Sequence, residues 1–228
     1  MRGFLGVARA AAGCAFVTVV TSRDFQVCTE VWAKSLQATG MRAKVLVLAL
    51  PGTVDAAPLQ EAGAEILQVP PVENPGGEHL LFEAFRENFA ILRVWELDGS
   101  APWAPGLAFE RVVYMDADTL VVGAIEELCD GQTDFAANAD VGTEQFNAGV
   151  MALRPDGAVF RSLLARARDV ASPTGGVQPL LRAFFTQAAP LGAGHNVNAR
   201  LYGTDAYPVL VTGLPQAAPC KIRYTCSS

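Results

Sequence analysis

Arg111-Val-Val-Tyr-Met-Asp-Ala-Asp-Thr-Leu-Val-Val122 decides how this chain is read. It is an apolar, β-branched run with two carboxylates, Asp116 and Asp118, set into it. Such a run predicts a buried strand of the kind found in parallel sheets. Side chains two apart on a strand project to one face, so Asp116 and Asp118 are expected to point together, at or just past the strand's C-terminal end. Adjacent ionised carboxylates repel each other and are costly to desolvate, costs that a shared proton or a divalent cation relieves. Mg²⁺ and Mn²⁺ favour oxygen ligands and often bind through one or two carboxylates plus substrate phosphates. In open α/β sheets the ligand crevice lies at the carboxyl ends of the strands. Taken alone, Asp-x-Asp also serves simply to end a strand and open a turn. The strand context and the motifs downstream argue for a site.

Outward from that run, strand and helix patterns alternate. Ala15 to Val20 reads as a first strand, Phe25 to Ala38 as a helix, Ala43 to Leu50 and Glu65 to Val69 as further strands, with a short helix from Ala57 to Ala62 between them. That alternation predicts a mostly parallel sheet with helices on both faces. Leu80 to Leu97 carries a helical stripe of Phe85, Phe89, Leu92 and Trp95, and Gly99 to Gly106 reads as a surface loop. After the Asp-x-Asp strand come an acidic helix at Ile125 to Cys129, strands near Asp134 to Ala139 and Phe146 to Pro155, and helices over Gly157 to Val170 and Gln178 to Thr186.

Composition excludes several classes. The chain of 228 residues is 51% hydrophobic, enough to build one α/β core. A net charge of −6 and the lack of a Lys/Arg-rich run argue against nucleic acid. An acidic protein handling an anionic phosphate needs a cation at the site, which agrees with the carboxylate pair. No apolar run of about 18 residues predicts a membrane span. The cysteines Cys14, Cys28, Cys129, Cys220 and Cys226 are odd in number, without Cys-x-x-Cys, so zinc is not expected. They read as mostly reduced core residues of a reducing, cytoplasmic compartment, with Cys220 and Cys226 as a possible pair. Met1 to Cys14 faintly resembles a targeting peptide.

Ala15-Phe-Val-Thr18, Tyr114-Met-Asp-Ala-Asp-Thr-Leu120, Phe146-Asn-Ala-Gly149, Gly175-Gly176-x-Gln178 and Asn196-x-Asn198 occur in this order. Together they resemble the glycogenin-like glycosyltransferases of family 8, from about Ala15 to Tyr202. The resemblance implies a GT-A fold, with a Rossmann-like nucleotide-binding half and an acceptor half. It implies a UDP-sugar donor, Mn²⁺ or Mg²⁺, a carbohydrate or protein acceptor, and hexosyl transfer with retention; a homodimer is a further expectation. Carried over position by position, Asp116 and Asp118 match the metal motif around Ala117. Val19, Thr21, Ser22 and Phe25 fall where the family holds uridine, with Phe25 in place of the more usual Tyr. Asn147 and Gly149 match the element beside the donor sugar, Gln178 and Asn196 match sugar-site positions, and Asp140 lies near a sugar-contacting acid. Asp140, Asn147 and Gln178 are the catalytic candidates. On this reading residues 1–14 are an N-terminal extension, and residues 15–228 form a single GT-A domain without the family's C-terminal His/Lys segment.

The departures are specific. Val177 stands where the family's Gly-Gly-Asp-Gln has an acid, and Ile91 where a phosphate-neutralising Lys precedes Leu-x-x-Trp. Arg86 or Arg93 is the nearest substitute for that Lys. The family's His-x-x-Gly-x-x-Lys-Pro-Trp is not found, and His79 and His195 read as structural or solvated. These losses favour a second reading, a non-catalytic nucleotide-sugar-binding relative. A third reading takes Asp116-Ala-Asp-Thr119 as the Asp-x-Asp-x-Thr of a haloacid-dehalogenase-type phosphatase, with Asp116 as nucleophile and Asp118 as general acid/base. That chemistry wants a downstream Lys and a second acidic cluster, and after Asp118 the sequence holds only Lys221 and no Asp-Asp pair.

Overall fold

Six strands form the central sheet in the order β3-β2-β1-β4-β7-β6. They are β1 (Cys14–Val20), β2 (Lys44–Ala49), β3 (Glu65–Gln68), β4 (Arg111–Met115), β6 (Phe135–Ala139) and β7 (Phe146–Leu153). A separate ribbon pairs β5 (Thr119–Val121) with β8 (Ile222–Tyr224). This computed structural model describes residues 13–76, 80, 85–140, 145–170, 172, 174–192, 194–196 and, for the main chain alone, 222–224. Of the residues singled out in the sequence, His79, Asn198, Cys220, Lys221 and Cys226 lie outside the described residues.

The pairings β3–β2, β2–β1 and β1–β4 are parallel, whereas β7 runs antiparallel to both β4 and β6. The parallel half follows from the helical crossovers α1 (Gln26–Ala38) and α2 (Ala56–Glu61). Alternation along β1 divides the core: Ala15, Val17 and Val19 face one layer, Phe16 and Val20 the other. Trp32, Ala33 and Leu36 of α1 and Leu59 of α2 cover the second face. The first face is covered by the 3-10 run Asn88–Glu96, by α3 (Gly157–Ala167) and by α4 (Gln178–Phe184), through Phe89, Leu92, Trp95, Phe160, Leu163, Leu180 and Leu181. Helices on both faces of one sheet are what the sequence pattern predicts.

Three expectations change. The run from Arg111 to Val122 is not one strand, because β4 ends at Met115 and β5 leaves the main sheet. Between them the chain turns: Thr119 donates to the Asp116 carbonyl through its N–H (3.1 Å) and its hydroxyl (2.8 Å). Asp suits such turns because its short side chain competes for local hydrogen bonds. The stripe of Leu80 to Leu97 is a 3-10 run over its described second half.

The cysteines are the third change. Cys14, at the head of β1, is disulfide-bonded to Cys129, 115 positions away, and Cys28 is disulfide-bonded as well. The reading of reduced core thiols is therefore wrong. Cys14 sits beside Arg111 in the β1–β4 ladder, and the 3-10 turn Glu126–Cys129 packs against β4. Proximity created by the fold, not by spacing, makes the pair. Bonds of this kind belong to chains that mature in oxidising surroundings.

Candidate active site

The carboxylate pair lies at the C-terminal end of β4, in the middle of the sheet. Asp116 follows the last residue of the strand, and its N–H donates to the carbonyl of Gly149 on β7 at 2.8 Å. The turn to Thr119, rather than strand alternation, brings Asp118 beside it. Asp116 is held up to about 7 by burial first and by the negative charge of Asp118 second, while the Tyr114 hydroxyl, donating to Oδ1 at 2.6 Å, works the other way. Asp118 is pushed up to about 6 by burial, against a hydrogen bond from its own backbone. Two carboxyls so placed favour a proton or a cation between them. Ala117 between them is buried in the α1-side core and fixes the turn. Among the described residues no group of three His, Cys, Asp or Glu side chains assembles around a metal position. The protein part of a cation site here would be these two carboxylates.

A second cluster abuts the first on β7. The N–H groups of two successive residues fix two side-chain amides. Ala148 N–H donates to Gln178 Oε1 (2.8 Å), and Gly149 N–H donates to Asn147 Oδ1 (2.8 Å). A backbone N–H can only donate, so each amide's orientation follows from chemistry. Asn147 Oδ1 also receives Asn196 Nδ2 at 3.0 Å. The buried Oδ1 of Asn196 is left without a hydrogen-bond partner. Asn196 holds this pose with φ 61°, in the left-handed region that Asn tolerates better than most residues. Asn147 Nδ2 reaches Asp140 Oδ1 at 3.4 Å. Arg182 closes the cluster, donating to Asp140 Oδ2 (2.7 Å), the Phe146 carbonyl (2.7 Å) and Gln145 Oε1 (3.1 Å). Asp140, Asn147, Gly149, Gln178 and Asn196 are thus one hydrogen-bonded group, joined to Asp116 through Gly149.

The four uridine candidates are less gathered. Val19 faces the layer of Trp95 and Tyr114, whereas Phe25 packs partly buried on the layer of Phe16 and Trp32. The Ser22 hydroxyl caps the following turn, accepting from Asp24 N–H at 3.2 Å. Thr21 lies between them at the mouth of β1, half-buried.

The departures seen in the sequence have structural counterparts. Val177 is core, its N–H held by Asn88 Oδ1 at 2.8 Å, and Ile91 is core too. Arg93 is not available as a phosphate partner: it donates to the carbonyls of Pro70 and Pro71 and pairs with Glu96 at 2.6 Å. His195 is structural, buried against Glu127 at 3.2 Å. Sequence reasoning missed Arg182, although it stands one helical turn after Gln178, a spacing that places both on one face. It also missed the Tyr114 hydroxyl, which alternation sets on the side of Asp116.

No family model matches the chain. It is 28% identical over 180 residues to human glycogenin-1, covering 77% of this chain and 49% of that protein. It is 26% identical over 208 residues to inositol phosphorylceramide glucuronosyltransferase 1 of Arabidopsis thaliana, covering 90% of this chain and 34% of that protein. The fold matches the galactosyltransferase LgtC, solved with donor and acceptor sugar analogs, at a TM-score of 0.65 and 18% identity, over 93% of this chain and 87% of that one. These likenesses support a glycogenin-like glycosyltransferase of family 8. The chain's fold is the GT-A fold, with the mixed sheet described above. It spans between a third and a half of the two curated relatives named here. The likeness covers most of the chain and not only Asp-x-Asp-x-Thr, which weighs against the phosphatase reading.

Proposed function

We propose that this family 8 domain transfers a hexose from a UDP-sugar to a carbohydrate or protein acceptor with retention at the anomeric carbon, as a single domain from about residue 15 onward. The observation that carries the reading is the contact of two clusters: the Asp116/Asp118 turn and the Asn147–Gln178–Asn196–Asp140 group share Gly149. One cluster suits a diphosphate with its cation, the other a polyhydroxyl ring.

The residues fit a Mn²⁺ or Mg²⁺ ion, because two side-by-side carboxyls with raised proton affinity are the kind of site a hard cation relieves. Asp116 and Asp118 would hold it, and bound there it would neutralise charge on the departing diphosphate. The chain's own groups do the rest. Gln178, its Oε1 tied to Ala148, presents its Nε2 as a donor to the sugar. Asn196 presents Oδ1 as an acceptor for a sugar hydroxyl. Asp140, neutralised and aimed by Arg182, accepts from another hydroxyl. Thr21, Ser22 and Phe25 just after β1 would border uridine, with Val19 behind them in the core.

The test is hydrolysis or transfer of radiolabelled UDP-hexoses with Mn²⁺, comparing wild type with Asp118→Ala. Metal-dependent release that the variant abolishes supports the proposal; release that persists unchanged in a chelator refutes it. Burial of Val177 and Ile91 where the family carries an acid and a cation favours a second reading, a domain that binds the nucleotide sugar without turning it over. Metal-dependent UDP-sugar binding without release of sugar under any acceptor would establish that one.

A further inference from the structure

Asn196 keeps its left-handed pose for a reason found outside the sugar cluster. The chain before it coils through Gly192 (φ 94°), Gly194 (φ 88°) and Asn196 (φ 61°), three positive-φ residues within five positions. No helix or strand ladder can hold such a segment. It is held by one side chain of β6. Asn138 Oδ1 accepts from Leu191 N–H (2.9 Å), which fixes the orientation of the amide. Its Nδ2 then donates to the carbonyls of Gly192 (3.0 Å) and His195 (2.5 Å). Asn138 therefore serves three main-chain groups of the coil, the last of them in the residue before Asn196. It stands at the register shift of β6 between Ala137 and Ala139, where the ladder with β7 is interrupted. A second tie comes from His195, buried in the coil, whose Nε2 meets Glu127 Oε1 at 3.2 Å while Nδ1 faces the Gly192 carbonyl at 3.3 Å.

We propose that Asn138 is a positioning residue for donor-sugar recognition: it shapes the 191–195 coil so that Asn196 spans from Asn147 to the sugar, with the His195–Glu127 contact as the second anchor. The inference rests on the proposed role of Asn196. Asn138 itself touches no substrate. Its effect should therefore fall on the sugar part of the donor and leave the nucleotide part alone.

The test measures affinity for UDP and for UDP-glucose, UDP-galactose and UDP-glucuronate by calorimetry with Mn²⁺ on the full chain. Asn196→Ala is expected to lower affinity for the preferred UDP-sugar about threefold to tenfold, one neutral hydrogen bond, with UDP unchanged. Asn138→Ala is expected to give the same loss, and the double variant no more than either alone, since both remove one interaction. If Asn138→Ala does not fold, His195→Leu reports through the second anchor, and His195→Gln, which retains a donor toward Glu127, is expected to restore binding. Should Asn196→Ala show the loss while Asn138→Ala and His195→Leu leave the sugar increment intact, or weaken UDP equally, the positioning role is overturned alone. Should Asn196→Ala leave the increment intact, the sugar reading of Asn196 fails and the positioning role with it.

Discussion

Asp116 and Gly149 are joined by a 2.8 Å hydrogen bond from the N–H of the first to the carbonyl of the second. The bond lies where β4 has just ended and β7 is still in register, Met115 opposite Val150. Through it the carboxylate turn is tied to the amide group. Neither can shift without breaking a buried main-chain hydrogen bond. On the proposed function, that bond would hold the diphosphate and sugar subsites of one donor molecule at a fixed separation.

The carboxylate pair makes stability depend on pH. Asp116 at about 7 and Asp118 at about 6 both lie above their value of 3.8 in an unfolded chain. Between those limits the folded chain binds protons that the unfolded chain has released. Their stabilisation is fully present below about pH 4 and is lost as pH rises through about 6 to 7. In a chelator, melting temperature is expected to carry a downward contribution from pH 5 to 8. Saturating Mn²⁺ should reverse its sign, because the cation binds the deprotonated pair and stabilises by linkage. Asp116→Asn with Asp118→Asn should remove both trends. The same pH curve for wild type and double variant would disprove the assignment.

This part of the candidate site could be assembled from the sequence because it is local. Asp116, Asp118, Asn147, Gly149 and Gln178 lie on or beside strands and a helix whose periodicities show them, and their order carries the family likeness. The bend at Asp116 was hidden by the β-branched residues on either side, which read as one strand, although Thr119 has the hydroxyl that closes the turn. The cysteine pairing was hidden for a different reason. Cys14 and Cys129 meet only because β4 is inserted beside β1 and the chain then returns to its start. Asn138 was hidden because its three partners are main-chain groups more than 50 positions away.

The disulfide gives a second expectation. Cys14–Cys129 closes a loop of 115 positions around β1 and β4. On the chain-entropy account a cross-link over so long a loop removes about 4–5 kcal/mol of unfolded-state freedom, with measured effects of roughly 2–5 kcal/mol. Cys14→Ser is expected to lower stability within that range in urea titration under oxidising conditions. Reductant should lower the wild type and leave the Cys14→Ser, Cys28→Ser double variant unmoved. A reductant-insensitive wild type would show that the bond does not form in solution.

Gln178 tests the orientation of the amide itself. Its Oε1 receives the Ala148 N–H, so the group left to meet the donor sugar of the proposed function is the NH₂. Gln178→Glu keeps an acceptor for Ala148 and replaces the outward donor by a carboxylate oxygen. Folding is expected to survive, with melting temperature near wild type, while sugar release falls by about a hundredfold or more, the scale of losing one oriented donor at a reacting centre. Full activity in that variant would mean that the outward atom accepts rather than donates.

Arg182 is the last case, because its role can be separated from that of the acid it holds. It is largely buried, pairs with Asp140 Oδ2 at 2.7 Å, and also satisfies the Phe146 carbonyl. Removing one partner of such a pair leaves the other incompletely satisfied, at a cost of about 1.5–3 kcal/mol for hydrogen bonds to a charged group. Arg182→Ala is therefore expected to lower both stability and turnover, since Asp140 then relaxes away from Asn147. Asp140→Asn keeps the shape and an acceptor for Arg182 but removes the charge. If the carboxylate matters only as a scaffold, Asp140→Asn should turn over sugar at nearly the wild-type rate while Arg182→Ala does not. If Asp140 bears on the sugar directly, both variants lose turnover, and only Arg182→Ala loses stability to match. Equal melting temperatures for Arg182→Ala and wild type would show that the contact is not held in solution.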